Sequence, residues 1–137
     1  MDATSGNHAA SPDPLAFARG FVRERLGCGC PDDLLRRLEI ERRSGGPTVL
    51  SVGGRLLVHI RVCAREEDLA RVLAGWLEEG LAQRDALGFH RFRLVLAAAD
   101  PDALRPRAEA LFATRNGDER THLHLVRAAE AAPLLPA

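Results

Sequence analysis

Apolar residues recur along this chain in two rhythms, one helical and one of period two, and their order predicts the fold. Leu15, Ala18, Val22 and Leu26 fall at helical spacing, widened by Phe17 and Phe21. Asp13-Pro14 supplies an N-cap and a first-turn proline ahead of this stripe, and Gly27 supplies the stop. Pro31, followed by Asp32 and Asp33, opens a short second helix to about Arg37. The period then changes to two. Leu38 to Arg42 alternates as a strand, and Thr48 to Val52 and Arg55 to Val62 read as two strands joined by a tight turn at Gly53-Gly54.

A long amphipathic helix follows. Leu69, Val72, Leu73, Trp76, Leu77 and Leu81 make one stripe, with Glu66, Glu67 and Asp68 at its positive N-terminal end and Gly88 as its stop. Phe92, Leu94 and Leu96 define a fourth strand. Asp100-Pro101 signals another helix, whose regular part is expected to begin only at Pro106, because proline lacks the amide proton a helix interior requires. Asn116-Gly117 turns the chain into a last strand, Thr121 to Val126.

This order predicts an α+β fold. A helical pair leads into an antiparallel meander and then into helix-linked strands. Together they form a mixed five-stranded sheet with helices mainly on one face. Residues 1–12 read as a disordered tail, 13–127 as a single domain, and 128–137, rich in Ala and Pro, as a flexible C-terminal tail.

Composition narrows the function classes. The 137 residues carry 19 basic and 19 acidic side chains, so no long-range field gathers nucleic acid or an anionic membrane, and neither is expected as a partner. Every basic residue is arginine, and the absence of lysine excludes a Schiff-base lysine, a P-loop lysine and a lysine general base. No stretch approaches the roughly 20 apolar residues that span a bilayer, and the first residues lack the apolar core of a secretory leader. The expected location is cytoplasmic, where closely spaced cysteines serve metal or redox chemistry more often than structural disulfides.

The most chemical-looking segment is Cys28-Gly29-Cys30-Pro31. Gly29 can adopt positive φ and turn both thiols toward one point, and Cys30 is expected at the N-cap of the short helix, where the helix end favours a thiolate. Asp32 and Asp33 oppose that shift. Cys28 and Cys30 can supply two ligands to zinc or an iron–sulfur cluster, with Cys63 as a candidate third. They can instead cycle as a dithiol, or simply pack as small thiols in a tight turn.

A second constellation comes from the strands. Counting by twos sets His59 and Arg61 on one side of the third strand, Arg91 and Arg93 on one side of the fourth, and His122 and His124 on one side of the fifth. If these sides coincide, together with Glu39, Glu41 and Arg55, the sheet has a polar face. Such a face can bind an anion through arginine forks, bind a metal through His122 and His124, or form a subunit interface.

An α-β-β-β-α-β order is also similar in topology to a restriction-nuclease-like core, but the lysine such sites use is absent. No dinucleotide, zinc-protease or nucleophile-elbow motif is present, and no catalytic residue is assigned. The sequence therefore predicts a small accessory or binding protein, with a metal or cluster held by the cysteine pair. The alternatives are a protein–protein interaction module that forms a homodimer, and a dithiol redox protein.

Overall fold

The structure, a computed structural model, describes residues 13–115 and 118–136. The predicted disordered tail and the Asn116-Gly117 turn lie outside them. Helix α1 (Pro14–Gly20) starts where Asp13 accepts a hydrogen bond from the Leu15 amide, with proline at the first position. It continues into a π turn, Phe21–Arg25, which closes with a bond from the Leu26 amide to the Phe21 carbonyl at 3.1 Å. Helix α2 (Asp32–Leu35) is a single turn. Strands β1 (Leu38–Arg42), β2 (Thr48–Val52) and β3 (Leu56–Val62) follow.

Helix α3 (Leu69–Leu87) ends at Gly88 in the left-handed conformation, φ 78°, as a C-terminal glycine should. Then come β4 (Arg91–Ala98), α4 (Pro101–Arg115), β5 (Thr121–Arg127) and α5 (Ala128–Ala131). Helix α4 begins at Pro101 and runs through Pro106, a turn earlier than its regular part was expected to start. Pro106 stands near enough to the helix start that only one ladder bond is forfeited.

The strands lie in the order β1-β2-β3-β4-β5, antiparallel through the meander and parallel from β3 to β5. This is the mixed five-stranded sheet that the alternation of elements predicts. Gly53 and Gly54, at φ 58° and 71°, close the β2–β3 hairpin, and a Cβ on Gly53 would also run into Leu34 of α2. No described helix is long and apolar enough to cross a membrane.

Both faces of the sheet are covered. The two long helices, α3 and α4, bury Leu57, Phe92, Leu94, Leu96 and Leu125 against Leu69, Leu73 and Leu77. On the opposite face α1 buries Leu50, Val58, Ile60, Val95 and Val126 beneath Phe21, Val22 and Leu26. Each such fully buried side chain contributes about 1.5–3 kcal/mol.

The C-terminal residues join that second layer. The segment expected as a flexible tail instead folds into α5 and a 3₁₀ turn, Ala132–Leu134, with Ala131 and Leu134 fully buried. The Leu134 carbonyl accepts from Thr48 Oγ1 at 2.8 Å, and the Pro133 carbonyl accepts from Arg42 at 2.7 Å. An Ala/Pro composition suggests fraying, but two apolar side chains over an open sheet face outweigh it.

Candidate functional site

The cysteine segment lies between α1 and α2. The Cys28 amide bonds back to the Val22 carbonyl at 3.1 Å, which needs the left-handed turn at Gly27, φ 67°. Gly27, rather than Gly29 as expected, therefore supplies the positive φ. Cys28 and Cys30 are joined as a disulfide with Cα atoms 5.3 Å apart, and the Cys30 amide donates to Cys28 Sγ at 3.2 Å. Both are half-buried against the α1-side core. Pro31, not Cys30, holds the N-cap of α2, so the expected help from a helix end does not reach either thiol in that form.

Positive charge arrives from the sheet instead. A cavity of about 520 Å³ is walled on one side by Cys28, Gly29, Cys30 and Pro31, and on the other by Arg55, His90, Arg91 and Arg93. The backbone sets these side by side. The Arg55 carbonyl accepts from the amides of both His90 and Arg91, each at 2.9 Å, where the parallel strands β3 and β4 begin. None of Arg55, Arg91 and Arg93 has a carboxylate partner among the described residues, and Asp33 is the acidic side chain in the cavity wall. Uncompensated guanidinium charge favours a thiolate over a thiol and an anion over a neutral ligand.

Arg93 is fixed in place. It donates to the Leu26 carbonyl at the end of the α1 segment and to His124 Nε2 at 2.9 Å. Burial, and then the neighbouring Arg91, push its pKa down. Burial, and then Arg93, push His124 down to about 4, so near neutrality His124 is the uncharged acceptor of that bond. His122 is exposed on the same face, and its pKa is lowered by the same two kinds of cause. Both histidines thus serve beside arginine and, among the described residues, are not brought together with a third metal-ligating side chain.

The single polar face is corrected by the register. Leu57 pairs with Phe92, and Val58 pairs with Arg93 and thence with His122. Arg91, Arg93, His122 and His124 therefore face α1, whereas His59 and Arg61 face α3. His59 is fully buried, 2.6 Å from Gln83 through Nε2 and edge-on to Phe92, with a pKa lowered by burial. Arg61 pairs with Glu79 at 2.8 Å and lies over Trp76, both on α3. These two hold a helix to a sheet and do not line the cavity beside the cysteine pair.

Cys63 is also on the α3 side. It is buried, its thiol donates to the Arg65 carbonyl at 3.4 Å, and burial raises its pKa. The sheet separates it from Cys28 and Cys30, so it is not a third ligand to that pair. Among the described residues no group of three or more His, Cys, Asp or Glu side chains could hold a metal ion.

Two features escaped the sequence reading. Arg55 and His90 join Arg91 and Arg93 at the cysteine pair, because parallel strands begin side by side; period two says nothing of strand ends. Arg84, buried on α3, pairs with Asp118 at 2.5 Å and Asp85 at 3.0 Å. No family model, curated protein or solved structure matches this chain, and the reading of the site rests on its own residues.

Proposed function

We propose that this chain is a cytoplasmic thiol–disulfide exchange protein whose Cys28 and Cys30 cycle between dithiol and disulfide. The observation that carries it is the juxtaposition of the two sulfurs, in bonding contact, with a cavity lined by three arginines that have no carboxylate partner among the described residues. An incoming thiolate attacks Cys30 Sγ, the Cys28–Cys30 bond breaks, and Cys28 leaves as a thiolate. The Cys30 amide, 3.2 Å from Cys28 Sγ, and the nearby guanidinium charge favour that leaving group. A second thiolate then attacks the external sulfur of the mixed disulfide and releases Cys30. The balance is two thiols oxidised to one external disulfide and one protein disulfide reduced to two thiols.

The competing reading, zinc or an iron–sulfur cluster on Cys28 and Cys30, requires its remaining ligands from elsewhere, since Cys63 lies across the sheet. An interaction module that uses neither thiol is the third class.

Alkylation of the protein in graded mixtures of reduced and oxidised thiol, with elemental analysis of the same samples, separates the three. Exchange predicts a reversible two-electron transition that Cys28→Ser and Cys30→Ser each abolish and Cys63→Ala leaves intact. Stoichiometric zinc or iron, lost in the same two variants and with no such transition, overturns exchange in favour of the metal reading. Inert thiols without metal leave the interaction module.

A further inference from the structure

We infer that the cavity beside the cysteine pair selects a small carboxylate-bearing thiol or disulfide, with Arg55 and Arg91 as its anion-binding residues; this deepens the exchange reading and rests on it for the thiol step.

The charge distribution points to the ligand. Across the chain basic and acidic side chains balance at 19 each, and several arginines pair with carboxylates: Arg23 with Asp32, Arg25 with Glu130, Arg61 with Glu79, Arg84 with Asp118. At this cavity arginines without such a partner are gathered together. Three guanidinium groups stand against Asp33 alone, and none of the three has a carboxylate within ion-pairing distance among the described residues. His90, exposed in the same wall, adds a further donor. Guanidinium charge without a carboxylate partner, gathered in one cavity wall, is charge available to a ligand.

The three arginines divide the work. Arg93 is spent on the Leu26 carbonyl and His124, and its Nε is buried without a partner, so it contributes a fixed positive charge at the cavity's inner wall. Arg55 and Arg91 are exposed at the mouth, and the shared Arg55 carbonyl holds their backbones together. Planar forks so placed suit a carboxylate, which each can take in two parallel hydrogen bonds. The volume of about 520 Å³ is that of a small-molecule pocket, and the disulfide forms the opposite wall. A ligand with a carboxylate on the arginines thus presents its sulfur to Cys28 and Cys30.

The test uses the reduced full-length protein and three symmetrical disulfides, bearing carboxylates, hydroxyls or amines. Each oxidation rate is divided by that of a free dithiol with the same reagent. The expected result is a preference of about tenfold for the carboxylate reagent over the amine, which falls with added salt and is lost in the Arg55→Gln/Arg91→Gln variant. Equal normalised rates, or a preference that survives the double substitution, overturn the inference and leave exchange standing.

A second arm reads the anion site without exchange. A thioether dicarboxylate is titrated into the Cys28→Ser protein and followed by amide chemical shifts. Saturable shifts at Arg55 and Arg91, absent in the arginine variant, support the site even if the wild type exchanges with no disulfide. No saturable shift overturns it.

Discussion

Gly80 of α3 lies against the ring of Phe92 in β4, so closely that a Cβ on Gly80 would overlap the ring. Helix and sheet approach to that distance only because one partner has no side chain, and Phe92 is fully buried as a result. His59 stacks edge-on against the same ring, with centroids 5.1 Å apart.

Gly80→Ala therefore lowers stability although alanine is the better helix former. The gain of about 1 kcal/mol in helix propensity is outweighed by an overpacking cost near the upper end of about 1–3 kcal/mol, for a net loss of about 1–2 kcal/mol. Urea unfolding checks it, and restoration by Phe92→Leu in the Gly80→Ala background identifies the clash as the cause.

The pH dependence of stability follows from His124. Its folded pKa, about 4, lies below the ordinary histidine value of 6.5, so the unfolded chain binds the proton first. Stability is full above about pH 6.5 and falls as pH drops toward 4, where protonation breaks the acceptor bond to Arg93. His59, also lowered by burial, adds to the same slope. Thermal unfolding between pH 7 and 4.5 should show the decline, and His124→Asn should flatten it. An unchanged slope in that variant would refute the assignment.

Arg84 ties the end of α3 to the start of β5 through Asp118 and through Thr121 Oγ1 at 3.1 Å. Its side chain is 6% exposed, so Arg84→Met removes a buried charge while keeping the aliphatic packing, yet leaves Asp118 without that ion pair. The expected loss is about 2–3 kcal/mol, below the full cost of breaking a buried pair because Asp118 is partly solvated. A double-mutant cycle with Asp118→Asn should return a positive coupling energy. Asp118's pKa is held down by the Arg120 amide and by Arg84, so this contribution is present above the unfolded carboxylate pKa and fades as pH falls through the folded one.

Leu134 tests the C-terminal layer. Fully buried on the α1 face, it should cost about 2–4 kcal/mol when changed to alanine, comparable to a core leucine rather than to a tail residue. Hydrogen exchange at the amides of β2, near the Thr48 contact, should rise in the same variant. A cost below about 0.5 kcal/mol would return the segment to the status of a loose end.

Local signals made most of the elements legible. Asp13-Pro14 starts α1, Gly88 ends α3, and Gly53-Gly54 closes the hairpin for stereochemical reasons that hold in any fold. Alternation in β1, β4 and β5 likewise assigned each side chain correctly relative to its strand neighbours. The cysteine pair was visible as a motif, since Cys28 and Cys30 are two residues apart and need no distant contact to meet.

What alternation could not supply was which side of one strand meets which side of the next. Strand β3 is apolar on both sides, with Val58 and Ile60 facing α1 and Leu57 facing α3, so its pattern is compatible with either alignment. A shift of one residue in register exchanges the faces, and hydrogen bonding to β4 chose the alignment that sends His59 and Arg61 to α3 and leaves Arg91 and Arg93 with the cysteines. The same choice put Cys63 across the sheet from the pair.

The chain's own sequence thus determined the elements, their order and the thiol pair, because capping, turn stereochemistry and periodicity act over a few residues. Tertiary structure alone decided the sheet register, the docking of residues 128–134 and the arginine-lined cavity. Those depend on contacts between segments far apart in the chain, such as Arg55 with His90 and Thr48 with Leu134, whose energies no local pattern encodes.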